Sequence, residues 1–292
     1  MRRADAARHT VALAVAVAVT IGAGLAPGAP ATGAPTNPAT GTPTGALRLQ
    51  GTFQMVGRVT RSTNVRGQRR GQALSRLWSL TAPCPGRQTC ATATLTRQRA
   101  GGQTDVLGLH RIRGSDDFGG RGGFAVALRC HGRLYPRGGR AQERITVHVV
   151  KSALVEQTAF ATAITATYAN PSRRNDTPCA GFIGRDGARY AGSLTSPVPT
   201  PPRARFSSSP APPPALNLSF ADASTAGTEH APILSTAWDF GDRASGQADF
   251  ASTPAPSHAF SAPGTYSVTL TVTDANGLTD QYAAPVTVGS QR

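Results

Sequence analysis

The sequence predicts an all-β protein of two domains, and three observations carry that reading. Between Ala46 and residue 195 eight short runs recur, at 51–60, 73–82, 90–98, 105–113, 123–131, 143–155, 158–169 and 187–195, most of them separated by Gly, Pro, Asn or Asp. Along 159–168 Phe160, Ile164, Ala166 and Tyr168 fall on one side and Ala159, Ala161, Thr165 and Thr167 on the other, and Ile145, Val147 and Val149 alternate likewise one run earlier. Period two sets one wall on a core and the other toward water, and no segment carries a convincing helical period. Third, a proline-rich stretch at 196–202 (SPVPTPP) coincides with a break in charge. Residues 46–206 hold 25 basic and 7 acidic side chains, whereas 207–292 hold 2 and 7.

Taken in order, the chain opens with Arg2, Arg3 and Arg8, an uncharged stretch over 10–25, and Ala29-Pro30-Ala31, which fits an A-x-A cleavage site before Thr32. A signal peptide over 1–31 is expected, and with it a secreted, extracellular protein. The apolar stretch is short of the roughly 20 residues a bilayer span needs, so no stable membrane span is expected after its removal. Residues 32–45 (TGAPTNPATGTPTG) lack the apolar mass to pack and are expected to be a disordered leader. Residues 46–195 form the basic antiparallel β-domain. Eight runs with short connections suit either an up-and-down barrel or a two-layer sandwich, and a barrel could hold a small apolar ligand. Residues 196–202 are an extended, semi-rigid linker.

The remaining stretch, 203–290, reads in detail. Phe206 and the alternating Leu216, Leu218 and Phe220 give two first strands. Trp238-Asp239-Phe240-Gly241-Asp242 places a large apolar anchor before a Gly-Asp strand terminator. His258 and Phe260 lead to the Pro263-Gly264 turn, after which Tyr266, Val268, Leu270 and Val272 share one face, and Asp274-Ala275-Asn276-Gly277 closes a hairpin. This pattern resembles the PKD (polycystic kidney disease) family. The resemblance implies an immunoglobulin-like β-sandwich, usually extracellular and without chemistry of its own. Arg243, where a Gly usually follows, and Phe260, where Tyr is common, depart from the pattern in turn detail. Asp239, Asp242 and His258 could be assembled into a metal or catalytic set, but turn formation and packing explain them better.

Four cysteines in an exported chain point to disulfides. Cys84 and Cys90 (CPGRQTC) bracket a turn, and pairing them leaves Cys130 with Cys179; the C-x₂-C and His-pair spacings of a zinc finger are missing. No metal or cofactor is expected. His110, His131 and His148 accompany Ser115, Asp116 and Asp117, yet no Ser sits in a nucleophile elbow, and residues 114–120 read as an exposed turn. The basic excess is almost wholly arginine, Lys151 being the only lysine, a bias of the GC-rich, actinobacterial-like kind. Arg66, Arg69 and Arg70, with Arg133, Arg137 and Arg140, could form an anion-binding face. Export argues against nucleic acid, leaving an anionic cell-wall polymer or polysaccharide as partner. The expected function is non-catalytic: adhesion, or cell-surface or polysaccharide binding by the basic domain. The alternatives are an apolar-ligand barrel and a secreted hydrolase with a PKD accessory domain.

Overall fold

The structure is a computed structural model, which describes residues 46–65, 67–98, 103–175, 184–209, 215–228 and 230–289. The expected signal peptide and leader lie outside the described residues. Those described belong to one compact unit.

Strands β1 (Ala46–Arg48), β2 (Gly51–Thr63), β3 (Ala73–Thr81), β4 (Thr92–Gln98), β5 (Thr104–Arg111), β6 (Asp117–Cys130), β7 (Arg133–Val155), β8 (Thr158–Asn175) and β9 (Gly184–Leu194) form one sheet. Neighbours from β2 to β9 pair antiparallel in sequence order, and β9 then pairs with β2 through Phe53↔Leu194 to Thr63↔Arg185. That last ladder closes an eight-stranded up-and-down barrel, settling the choice against a sandwich and removing the free edges an open sheet would carry. Closure needs close backbone approach. Gly192 of β9 lies opposite Met55, and a Cβ there would stand 2.3 Å from Met55 Sδ.

Several strands run longer than the sequence reading, and two of the differences concern one hairpin. β6 already begins at Asp117, and Phe118 is fully buried, so the exposed turn of 114–120 ends sooner than expected. β7 begins at Arg133, well before residue 143. Both shifts reflect a long β6–β7 hairpin whose turn is only His131-Gly132, with φ of 46° and 78°. Two consecutive positive φ values suit a type I′ turn, which matches strand twist but is strongly marked only when written Asn-Gly or Asp-Gly.

The barrel interior is divided along its axis. Phe53, Met55, Leu80, Leu95, Leu109 and Ile145 are among the buried side chains that fill one end. These side chains belong to one contiguous apolar core cluster. β1 runs parallel to β8 (Ala46↔Thr158) and brings buried Leu47 and Leu49 to the same core. Toward the other end the inward positions become polar: Arg97, Asp105, Glu143, Asn170 and Asp186 are all buried. Arg97 donates to Asp105 Oδ2 at 3.0 Å and to Glu143 Oε2, so its buried charge is paired.

The C-terminal part is a two-layer sandwich. One layer orders β10 (Phe206–Ser208), β11 (Asn217–Asp222) and β14 (Ser257–Ala259); the other orders β13 (Phe250–Ala251), β12 (Ile233–Asp239), β15 (Gly264–Asp274) and β16 (Thr279–Val288). Leu218 and Phe220 from one layer meet Trp238, Val268, Leu270 and Val272 from the other. Trp238 is the anchor expected of it, with its indole Nε1 donating to Thr253 O at 2.9 Å.

Candidate anion-binding face and the domain junction

The outer wall of the β6–β7 hairpin carries the strongest charge feature. Alternation along β7 turns Glu143, Ile145 and Val147 inward and leaves Arg140, Gln142 and Arg144 exposed. The ladder sets Arg121 of β6 directly opposite Arg144, and Ala125 opposite Arg140. Like charges facing each other across strands at about 5 Å are destabilising, so this pair costs the fold something. Arg121, Arg137, Arg140 and Arg144 line one depression of about 890 Å³ with Gly122, Gly123 and Pro171. Its single carboxylate, Glu143, points inward to Arg97.

Of the six arginines singled out in the sequence, the structure therefore brings together Arg137 and Arg140. Arg133 sits at the hairpin tip with its guanidinium 5.4 Å from the Tyr135 ring. Arg69 and Arg70 occupy the β2–β3 turn, outside this depression, so the two runs do not make a single face. Arg66 lies outside the described residues. Arg121 and Arg144 were missed because they lie far apart in sequence; only the β6–β7 register, which the His-Gly turn fixes, puts them together.

Of the other candidate groups, His148 and Asp117 pair side chain to side chain, while His110 and His131 lie elsewhere. His148 Nδ1 meets Asp117 Oδ1 at 2.5 Å on the outer wall, where the His148 side chain is 61% exposed. Ser115 bonds within its own turn, donating to Ile112 O and accepting from Asp117 N. His110 lies on β5 opposite Gly119, and His131 is in the hairpin turn. Cys84 and Cys90 are disulfide-bonded, Cα to Cα 5.6 Å. The expected Cys130–Cys179 pairing lies outside the described residues.

In the sandwich, Gly241 takes φ 70°, and Asp239 Oδ1 accepts from its N–H at 2.9 Å. Asp242 turns inward instead. Its carboxylate accepts from Ser261 N at 2.8 Å, Ser261 Oγ at 2.5 Å and His258 Nε2 at 3.2 Å. His258 stacks on Phe240 at 4.2 Å and meets Phe260 edge-on at 4.5 Å. Burial works to raise the Asp242 carboxyl, but the bonds from Ser261 and His258 outweigh it and hold the group below its ordinary value. Asp242 and His258 are thus a packing and turn device, and Asp239 faces away from them. The PKD domain family matches residues 202–288.

The C-terminal third of this chain is a PKD domain. The PKD1 domain of the Vibrio cholerae metalloprotease PrtV is 32% identical, covering 31% of this chain and 99% of that one, with a TM-score of 0.26. The PKD1 domain of Vibrio anguillarum Epp is 32% identical over 32% of this chain and all of that one, with a TM-score of 0.28. No curated protein matches the chain. PKD domains are commonly extracellular accessory modules. Among the described residues no helix is long and apolar enough to cross a membrane.

The PKD domain docks on the packed end of the barrel. Arg48, 1% exposed, donates from Nη1 to Cys84 O at 3.2 Å, to Arg87 O, and to Asn276 O of the PKD domain at 3.2 Å. Its Nε holds Gln50, whose amide in turn donates to Asn276 Oδ1 at 2.8 Å. Gly86 N–H donates to Ala275 O at 3.2 Å, and Glu156, in the β7–β8 turn, accepts from Thr279 N–H at 3.2 Å. Burial lowers the Arg48 guanidinium against the pull of Asp274. Burial raises the carboxyls of Asp274 and Glu156, the bonds from Leu278 and Asn276 to the first and from Thr279 to the second opposing it.

Proposed function

We propose that this is a non-catalytic, secreted binding protein whose barrel domain attaches to an anionic polymer of the cell envelope, such as a teichoic acid or an acidic polysaccharide, with the PKD domain as its rigid extracellular companion. The observation that carries this reading is the cross-strand juxtaposition of Arg121 and Arg144 in a depression shared with Arg137 and Arg140. Two arginines set opposite each other across the β6–β7 ladder, in a depression whose one carboxylate among the described residues turns to Arg97, form a site whose missing counter-charge a polyanion supplies. Guanidinium forks suit it, since they bind phosphate and carboxylate oxygens in pairs. A linear polymer engages several such groups at once, so a shallow exposed depression is adequate.

The test is co-sedimentation of the full secreted chain with teichoic acid-bearing cell walls between about 50 mM and about 500 mM NaCl, a range over which exposed charge attraction is largely screened. Retention should collapse across that range and should be lost already at low salt in the Arg121→Ser, Arg144→Ser double variant. Retention that ignores salt, or that survives the double substitution, defeats the reading.

A further inference from the structure

The outer wall of the barrel carries a second arginine pair. In the ladder that closes the barrel, Arg58 of β2 lies directly opposite Arg189 of β9, and both are exposed. This repeats the arrangement of Arg121 and Arg144, again at the cost of like charges facing each other across strands. Arg58 donates to Gly71 O at 3.2 Å, a bond that leaves its charge unbalanced. Neither Arg58 nor Arg189 meets a carboxylate among the described residues. The pair shares a depression of about 1040 Å³ with Val56, Leu74, Thr146, His148, Thr165 and Thr167, and no Asp or Glu lines it among the described residues. Asp117, which the register sets opposite His148, is already bonded to that ring.

The register joins the two depressions into one path. Arg144 of the first and Thr146 of the second are alternate, exposed residues of β7. Thr146, Thr167 and Arg189 then pair in turn across β7, β8 and β9. Arg144 and Arg189 are thus two strands and two residues apart, about 12 Å along the wall by ordinary sheet spacings. An occupant of this path needs negative charges at intervals. The aromatic side chains lining the two depressions, Tyr190 and Phe124, are buried and half-buried, so neither offers the open face on which a nucleobase stacks. An acidic polysaccharide sets a rigid ring between successive charges, where this wall offers only Thr hydroxyls and the methyl groups of Val56 and Ala191. A polyol phosphate backbone matches that surface. Its phosphate oxygens accept from guanidinium forks and hydroxyls, and its carbon links lie on the methyls.

We infer that Arg121, Arg144, Arg189 and Arg58 form one track for a polyol phosphate chain, holding two of its phosphates at once, one at each arginine pair. The inference rests on the reading of Arg121 and Arg144 as a polyanion site and narrows the ligand to a base-free phosphodiester polymer. Engaging both pairs makes the second contact intramolecular, so affinity rises with chain length far beyond the number of charges added.

The experiment titrates the full chain, at low salt where exposed charges are least screened, with glycerol phosphate oligomers of one, two, four and eight repeats. An oligothymidylate and an oligogalacturonate matching the longest oligomer in charge serve as comparisons. The two longer oligomers should bind about a hundredfold tighter than the single repeat. Arg58→Ser combined with Arg189→Ser should remove that gain, leaving long oligomers bound like short ones. Both positions are exposed and each faces a like charge, so this variant keeps the circular dichroism of the unaltered chain. If it also keeps the gain while Arg121→Ser with Arg144→Ser loses it, the track is overturned and the first depression acts alone. If neither pair of substitutions changes binding, both readings fail. The inference is equally overturned if affinity does not rise with length, or if the thymidylate or the galacturonate binds more tightly than the longest glycerol phosphate.

Discussion

Arg48 of the barrel and Asn276 of the PKD domain are joined by a hydrogen bond of 3.2 Å from a guanidinium that is almost wholly buried. A single side chain thus organises three backbone carbonyls from two domains. Replacing it by Met keeps most of the bulk, orphans those carbonyls and removes the positive charge felt by Asp274. The expected loss is about 2–4 kcal/mol. Denaturant unfolding read by tryptophan emission should split from one transition into two, because the docking that couples the domains is gone. A single transition at the unaltered midpoint would show that Arg48 contributes little.

The same junction tolerates no side chain at Gly277. Its φ is 76°, and a Cβ would stand 2.4 Å from the Arg87 carbonyl carbon and 2.5 Å from Gln88 N, both main-chain atoms that cannot swing away. Gly277→Ala should leave the PKD domain folded yet separate it from the barrel, seen as faster protease cleavage between residues 195 and 203. Cleavage as slow as in the unaltered chain would count against the close packing described.

Oxidation of Cys84 and Cys90 shapes the loop that offers its carbonyls to Arg48. The closed ring is small, so chain entropy assigns the disulfide only about 2 kcal/mol. Substituting Ser at both positions is expected to cost about that much in melting experiments and also to weaken docking, because Gly86, which bonds Ala275, lies inside the ring. Stability lost without any change in docking would make the ring a local staple alone.

Removing charge from the hairpin should have opposite effects on stability and binding. Arg121→Ser relieves the repulsion by Arg144 and is predicted to stabilise the chain by about 0.2–1 kcal/mol while weakening wall attachment. Destabilisation by this exposed substitution would mean that the arginine has a structural partner worth more than the repulsion.

The carboxyls predict two opposing pH dependences. Asp274 and Glu156 are raised in the folded chain, so their contribution is complete below the ordinary carboxylate pKa near 4 and is lost as pH rises through their folded values. Asp242 is lowered, so its contribution is present above about 4 and is lost as pH falls through its folded value. Stability should therefore peak in mild acid rather than at neutrality. Glu156→Gln should flatten the alkaline side of that profile and leave the acid side unchanged. An unaltered profile would remove Glu156 from the account.

The strands were legible because alternation is local: Ile145, Val147 and Val149 announce a half-buried strand whatever lies around them. The PKD domain was legible for a different reason, since Trp238, Gly241, Asp242 and His258 sit within one short interlocking network. Barrel closure was not legible, because it depends on β9 finding β2 across more than a hundred residues, and no local pattern encodes that pairing. The arginine depression was half legible: Arg137 and Arg140 are near each other in sequence, whereas Arg121 and Arg144 are joined only by hairpin register. The polar end of the barrel escaped notice since Arg97, Asp105 and Glu143 each look like ordinary surface charges until the chain curls around them.

This PKD domain is fitted to the barrel it docks on. A foreign PKD domain grafted after residue 202 would have to present an acceptor where Asn276 O stands and a glycine where Gly277 bends, or else strand a cation in a dry seam. Substitutions at Arg48 and at 274–277 are therefore expected to change together across lineages.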